Sequence, residues 1–272
     1  MSALRLAVRL GVITVTSFTL ILPAAAVATA STAAPAHKGI LPPKNPSRSL
    51  PPKPFFLFNS LCAHGKDGQR CNSQILKATT RARKILEKMG GMRFSLAAYD
   101  KLTPIEQLFV TVNLERTARG KAPAVVLTRS LDKVAQKGAN NDADPPLDKV
   151  PNPLPGGGRF IGLGGNWAGG WDNALGANYA WMYNDGPGSD NGDCTKTNKR
   201  GCWGHRDNIL GTFSTKARCG GQRSELAMGA GHVTKGKAFG DSETELLAGV
   251  CGRTPTDVVF SWARAKKLLH IK

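Results

Sequence analysis

At 272 residues, with 37 Lys and Arg against 19 Asp and Glu, the chain carries a formal charge of +18. Beyond the first thirty residues no segment is apolar enough to span a bilayer as a helix, and no internal repeat occurs. The charge points to an anionic partner.

Residues 1–30 read as a secretory signal peptide. Arg5 and Arg9 give a basic start, Leu10 to Ala26 is an uncharged apolar run, and Ala28-Thr29-Ala30 is an A-x-A cleavage site. An uncleaved anchor is the alternative, but Thr14, Thr16, Ser17 and Thr19 make the run a weak spanning helix. Export implies an oxidising destination, so the six cysteines read as disulfides. Local spacing suggests Cys62–Cys71, Cys194–Cys202 and Cys219–Cys251 among the alternative pairings. A zinc cluster fits less well, because there is no C-x-x-C.

Residues 31–54, rich in Pro, Ala, Ser and Lys, are expected to form an extended linker. Residues 55–99 form a helical extension that contains a disulfide. Its helix covers 73–89, with Ile75, Ala78, Ala82, Ile85, Leu86 and Met89 on one face. Together residues 31–90 hold eleven Lys and Arg against two acids, a basic arm ahead of a milder domain. Outside the cell such an arm meets wall polymers or lipid head groups before nucleic acid; aiding solubility is its bland alternative.

The domain proper covers 100–252. Thr103-Pro104-Ile105-Glu106 is a capping box opening a helix with Ile105, Leu108, Phe109 and Val112 on its buried stripe. A third helix starts near Ser130 and a fourth covers about 173–183. Between these two, the Gly/Pro-rich PNPLPGGGRFIGLGGNWAGGW is expected to be loop. LAMGAGHV (226–233) and ELLAGVC (245–251) read as strands. Within 253–272, VVFSW is a further strand and Ala263 to Lys272 a basic tail. Helices first and strands later suggest one α+β domain or an α/β/α sandwich.

VNLERTARGKAP (112–123), GGNWAGG (164–170), WMYNDG (181–186), GCWGHRDNIL (201–210) and MGAGHV (228–233) follow one another in an order that resembles the secreted bacterial branch of the CAP superfamily. This is the SCP-like group of cysteine-rich secretory, antigen 5 and pathogenesis-related 1 proteins. The resemblance implies an α-β-α sandwich of the CAP/SCP type with a cleft, often built from two histidines and two acids and sometimes holding a divalent metal. His205 matches the family histidine of the GHR segment. No histidine stands between His64 and His205, and Gly165 occupies the place of the acid in the family's G-E-N segment.

Six residues are candidates for the cleft: His205, Arg206, Asn113, Arg116, His232 and Trp203. His205 could titrate near neutral pH and donate to a ligand. With His232 and Asp207 or Glu225 it could hold zinc. Arg206 could bind an anion in a bidentate way, and Asn208 could instead cap the following turn. Asn113 and Arg116 share one helix face, where a structural role is favoured, Arg116 pairing with Asp132 or another carboxylate. Asp185, Asp190 and Asp193 lie in a glycine-rich loop that could take calcium, although the spacing is not that of an EF-hand. Trp167, Trp171, Trp181 and Trp203 could line the cleft with faces suited to sugars, or pack in the core, Trp203 covering the Cys194–Cys202 link.

No G-x-S-x-G, P-loop or dinucleotide fingerprint occurs. The sequence therefore favours a secreted binding module for an envelope component, lipid or protein, with no cofactor. A metal-assisted hydrolase using His205 and His232, and a structural wall protein, are the alternatives.

Overall fold

The computed structural model describes residues 68–171, 173–186, 189–195, 197 and 201–272. The signal segment, the linker and the expected Cys62–Cys71 bond lie outside them.

A mixed five-stranded sheet organises these residues. In chain order the elements are α1 (Gly68–Glu87), α2 (Leu96–Tyr99), α3 (Pro104–Thr117), β1 (Ala124–Thr128), α4 (Arg129–Asn141), β2 (Phe160–Gly169), α5 (Ala174–Tyr183), α6 (Gly204–Leu210), β3 (Ser224–Val233), β4 (Ser242–Cys251), β5 (Val258–Ser261) and α7 (Trp262–Leu269). The sheet runs β2-β4-β3-β1-β5, with β1 parallel to β3 and the other neighbours antiparallel.

Every residue of the interior strand β4 is buried, and alternation gives it two faces. Leu246, Ala248 and Val250 meet Val126, Leu131, Val134 and Ala227 in one apolar core, beneath α4. Leu247 meets Phe109, Val112, Leu226 and Met228 in the other, with α1, α3, α5 and α7. Helices thus cover both faces of the sheet. On the α4 side the strands come very close to the helix. A Cβ at Gly229 would stand 2.3 Å from the Leu131 backbone, and one at Gly231 would stand 2.6 Å from that of Gln136.

The expected capping box is present: Thr103 Oγ1 accepts from the Glu106 N–H, and Glu106 Oε2 accepts from the Thr103 N–H at 2.9 Å. The helix it opens is buried on every side from Leu108 to Arg116, wider than the expected stripe. Two of these buried residues are polar ties. Asn113 donates to the Ala124 carbonyl and accepts from the Ala124 N–H, fastening α3 to β1. Arg116 donates to the carbonyls of Ala122, Ile209 and Gly211, and these backbone oxygens replace the expected Asp132 partner.

Three expectations need correcting. The glycine-rich stretch expected as loop contains β2, whose backbone pairs with β4 along its length; a Cβ at Gly162 would stand 2.8 Å from the Phe213 carbonyl oxygen and one at Gly164 2.6 Å from the Phe213 ring. The expected basic tail is helix α7, capped by Ser261 and burying Trp262, Ala265 and Leu269. On α1, Ile85 is largely exposed while Arg83 and Glu87 are buried.

The reason is a cluster of charges. Glu87 accepts from Arg119, Arg206 and the Tyr183 hydroxyl. Burial alone would raise its carboxyl, but Arg119 and Arg206 outweigh that and hold it below its usual range. The disulfides Cys194–Cys202 and Cys219–Cys251 form as expected and fit an extracellular destination. Among the described residues no helix is long and apolar enough to cross a membrane.

Asn113→Ala should cost about 3 kcal/mol, because it strands a buried donor and a buried acceptor of Ala124. Urea unfolding should show a lower midpoint at an unchanged slope; a loss below about 1 kcal/mol would contradict the tie.

Candidate functional site

A cleft of about 530 Å³ opens among the end of α4, β2, α5, the 184–193 loop and α6. Five aspartates line it, Asp142, Asp144, Asp185, Asp190 and Asp193, and so do Trp167, Trp171, Trp181 and Phe239. Among the described residues His205 is the one imidazole in its wall.

The placement of His205 starts from local backbone. Trp203 sits at φ 66°, the left-handed region that a bulky residue rarely adopts. Its N–H donates to the Asp185 carbonyl at 2.8 Å, and its own carbonyl accepts from the Asp207 N–H, opening α6. Its ring lies so close to Gly186 that a Cβ there would clash at 2.1 Å. The Cys194–Cys202 bond ties the loop back beside it. Trp203 is therefore a packed corner and does not line the cleft.

The turn brings His205 Nδ1 within 2.6 Å of Asp185 Oδ1. Asp185 is fully buried, and it also accepts from Asn191 Nδ2 at 2.6 Å and from the Arg206 N–H. A buried carboxylate facing Nδ1 places a proton there and leaves Nε2 as the ring's other polar atom. Burial opposes the imidazolium, but Asp185, with Asp144 and Asp193 behind it, outweighs burial and raises the His205 pKa above 6.5. The His205 side chain keeps 18% exposure.

Beneath the cleft, Asn166 joins three elements. Its Nδ2 donates to the His205 carbonyl and to Glu245 Oε1, and its Oδ1 accepts from Asn208. Asn208 thus braces β2 instead of capping its own turn. Full burial pushes the Glu245 carboxyl up to about 8, against the pull of Arg116 and His205.

Of the six expected cleft residues, His205 alone lines it. Arg206 cannot meet an anion there: its side chain is wholly enclosed, bound to Glu87 and the Met182 carbonyl. Asn113 and Arg116 are the ties described above. His232 has its own carboxylate, Glu243 Oε1 at 3.1 Å, and Glu225 is taken by Arg223 and Thr254. Among the described residues no group of three or more His, Cys, Asp or Glu is arranged to hold a metal ion. Of the calcium candidates, Asp185 serves His205 and Asp190 accepts from Asn184.

Of the four tryptophans, Trp181 is buried with its Nε1 donating to the Trp167 carbonyl, while Trp167 and Trp171 are half-buried in the cleft wall. Phe239 lies across from Trp167, rings 5.4 Å apart and edge-on, and is 55% exposed. Asp144 and Phe239 carried no signal in the sequence. Asp144, at the exposed rim, accepts from the Trp167 N–H. Phe239 stands alone in a polar loop. Asp185 was legible only as a loop oxygen, although the Cys194–Cys202 pairing implied that the chain doubles back beside it.

No family model and no curated protein matches this chain. A solved structure described as that of BmVAL-1 overlaps 71% of this chain and 82% of its own at 12% identity and a TM-score of 0.28, too loose a superposition to argue from.

The raised pKa has a definite sign. The native state holds the imidazolium proton more tightly than the unfolded chain does, so the gain in stability is complete below about 6.5 and is lost as pH rises through the native value. NMR titration of the imidazole should give a midpoint above 6.5. Asp185→Asn should lower it, because burial is then opposed only by Asp144 and Asp193; an unmoved midpoint would break the assignment.

Proposed function

We propose that this chain is an extracellular binding module of the CAP/SCP type, and that its cleft takes a neutral or cationic saccharide of the cell envelope. The observation that carries this is the lining of the cleft. Carboxylates on the exposed 190–193 loop and at Asp144 offer acceptors for hydroxyl and amino groups. Trp167 and Phe239 offer apolar faces, and His205 adds a polar edge.

The order of the five motifs supports the CAP assignment, as do helices on both faces of a mixed sheet. The cleft is acid-lined, so an anionic polymer is the business of the basic 31–90 arm, whose attraction adds to binding by the cleft. A metal-assisted hydrolase gains no support, because His205 and His232 are each engaged by a different carboxylate. A scaffold without a ligand leaves an open aromatic cleft with no purpose.

Titration calorimetry against amino-sugar oligomers tests the reading. Phe239→Ala should weaken binding about threefold and Trp167→Ala about tenfold, as the loss of one aromatic face predicts. Anionic wall polymer should bind in a salt-sensitive way that neither substitution alters. Absence of saccharide binding, or affinities indifferent to both substitutions, would refute the cleft.

A further inference from the structure

A second cavity lies away from the acidic cleft. It is a groove of about 730 Å³ between the end of α1, residues 91–95, the end of α3 and residues 269–272. Its side chains are of the opposite sign: Arg83, Arg93, His270 and Lys272 contribute to the wall, and no Asp or Glu stands among its described lining residues. Phe94, Leu114 and Leu269 make part of the remaining wall apolar.

Arg83 is the residue that calls for an explanation. It is 2% exposed, and its Nε and Nη1 have no hydrogen-bond partner. The nearest carboxylate oxygen, Glu115 Oε2, is 3.6 Å from Nη1, an ion-pair distance beyond hydrogen bonding. Glu115 is already held by Arg119, which also shares Glu87 with Arg206. Among the described residues the connected cluster therefore sets three guanidiniums against two carboxylates, all with side chains 10% exposed or less. A buried cation in excess, with unused donors, is costly unless an anion completes it. Arg119 and Arg206 have their carboxylates, so the excess falls on Arg83, the member that walls the groove.

We infer that this groove binds an oxyanion, a carboxylate or a phosphate, seated on the Arg83 guanidinium with Arg93 at the rim. A planar fork suits two oxygens of one such group. The apolar wall receives whatever body the oxyanion carries. The site lies apart from the saccharide cleft, between α1, α3 and residues 269–272.

Titration calorimetry of the full chain with inorganic phosphate and with octyl phosphate tests this. Binding of octyl phosphate well above phosphate indicates an oxyanion on an apolar body; equal binding indicates the free ion. Either result supports the site if Arg83→Met weakens it about tenfold or more and Arg83→Lys, which keeps the charge without the fork, weakens it less. Arg93→Ala is a surface change that leaves the fold intact, and it should weaken binding two- to threefold, so the site stays testable if Arg83→Met fails to fold by circular dichroism. Failure of both probes to bind at millimolar concentration would overturn the site, as would affinities that none of the three substitutions alters.

Discussion

The cleft depends on the burial of Arg206. Its side chain runs inward to Glu87 on α1 and to the Met182 carbonyl on α5, with the Tyr183 ring against the guanidinium. A helix residue whose side chain is fastened inward fixes the direction of its neighbour, and that neighbour is His205. Enclosing a guanidinium is expensive unless its partners are well placed. Glu87 meets that demand because two arginines and a phenol converge on it. The α1 extension is thus part of the apparatus that orients the cleft histidine, and the aspartate side of the dyad is fixed by a separate device, the corner at Trp203.

The strongly positive sequence divides into regions of opposite character when folded. Acidic side chains gather around one opening and basic ones around another, while the composition reports only their sum. An anionic partner inferred from total charge therefore says nothing about what a particular cavity accepts. The local field near His205 is set by Asp144, Asp185 and Asp193, and it is negative in a chain whose formal charge is +18.

Elements with a start signal and a period were legible in the sequence. Thr103 to Glu106 announced α3, and LAMGAGHV and ELLAGVC announced two strands. β2 was hidden because its glycines look like loop, yet glycine there reflects the close passage of the Phe213 chain. Strand β1 was hidden because AVVLT is short and joins α4 with no intervening turn. At the site, His205 could be singled out by its segment. Its partner could not, because a hydrogen bond between residues twenty apart leaves no local pattern. Arg206, Asn113 and Arg116 look like ligand contacts in a sequence, since polar residues that tie a core together carry the same donors as those that bind.

Gly229 and Gly231 lie on the far side of the sheet from His205, yet they set how closely α4 lies on β3. That helix ends at Asn141, and the next residues, Asp142 to Asp144, form one lip of the cleft. A methyl group at either glycine would push the helix outward and carry the lip with it. The aperture is therefore gauged from behind, by the two glycines of MGAGHV as much as by the residues that line it.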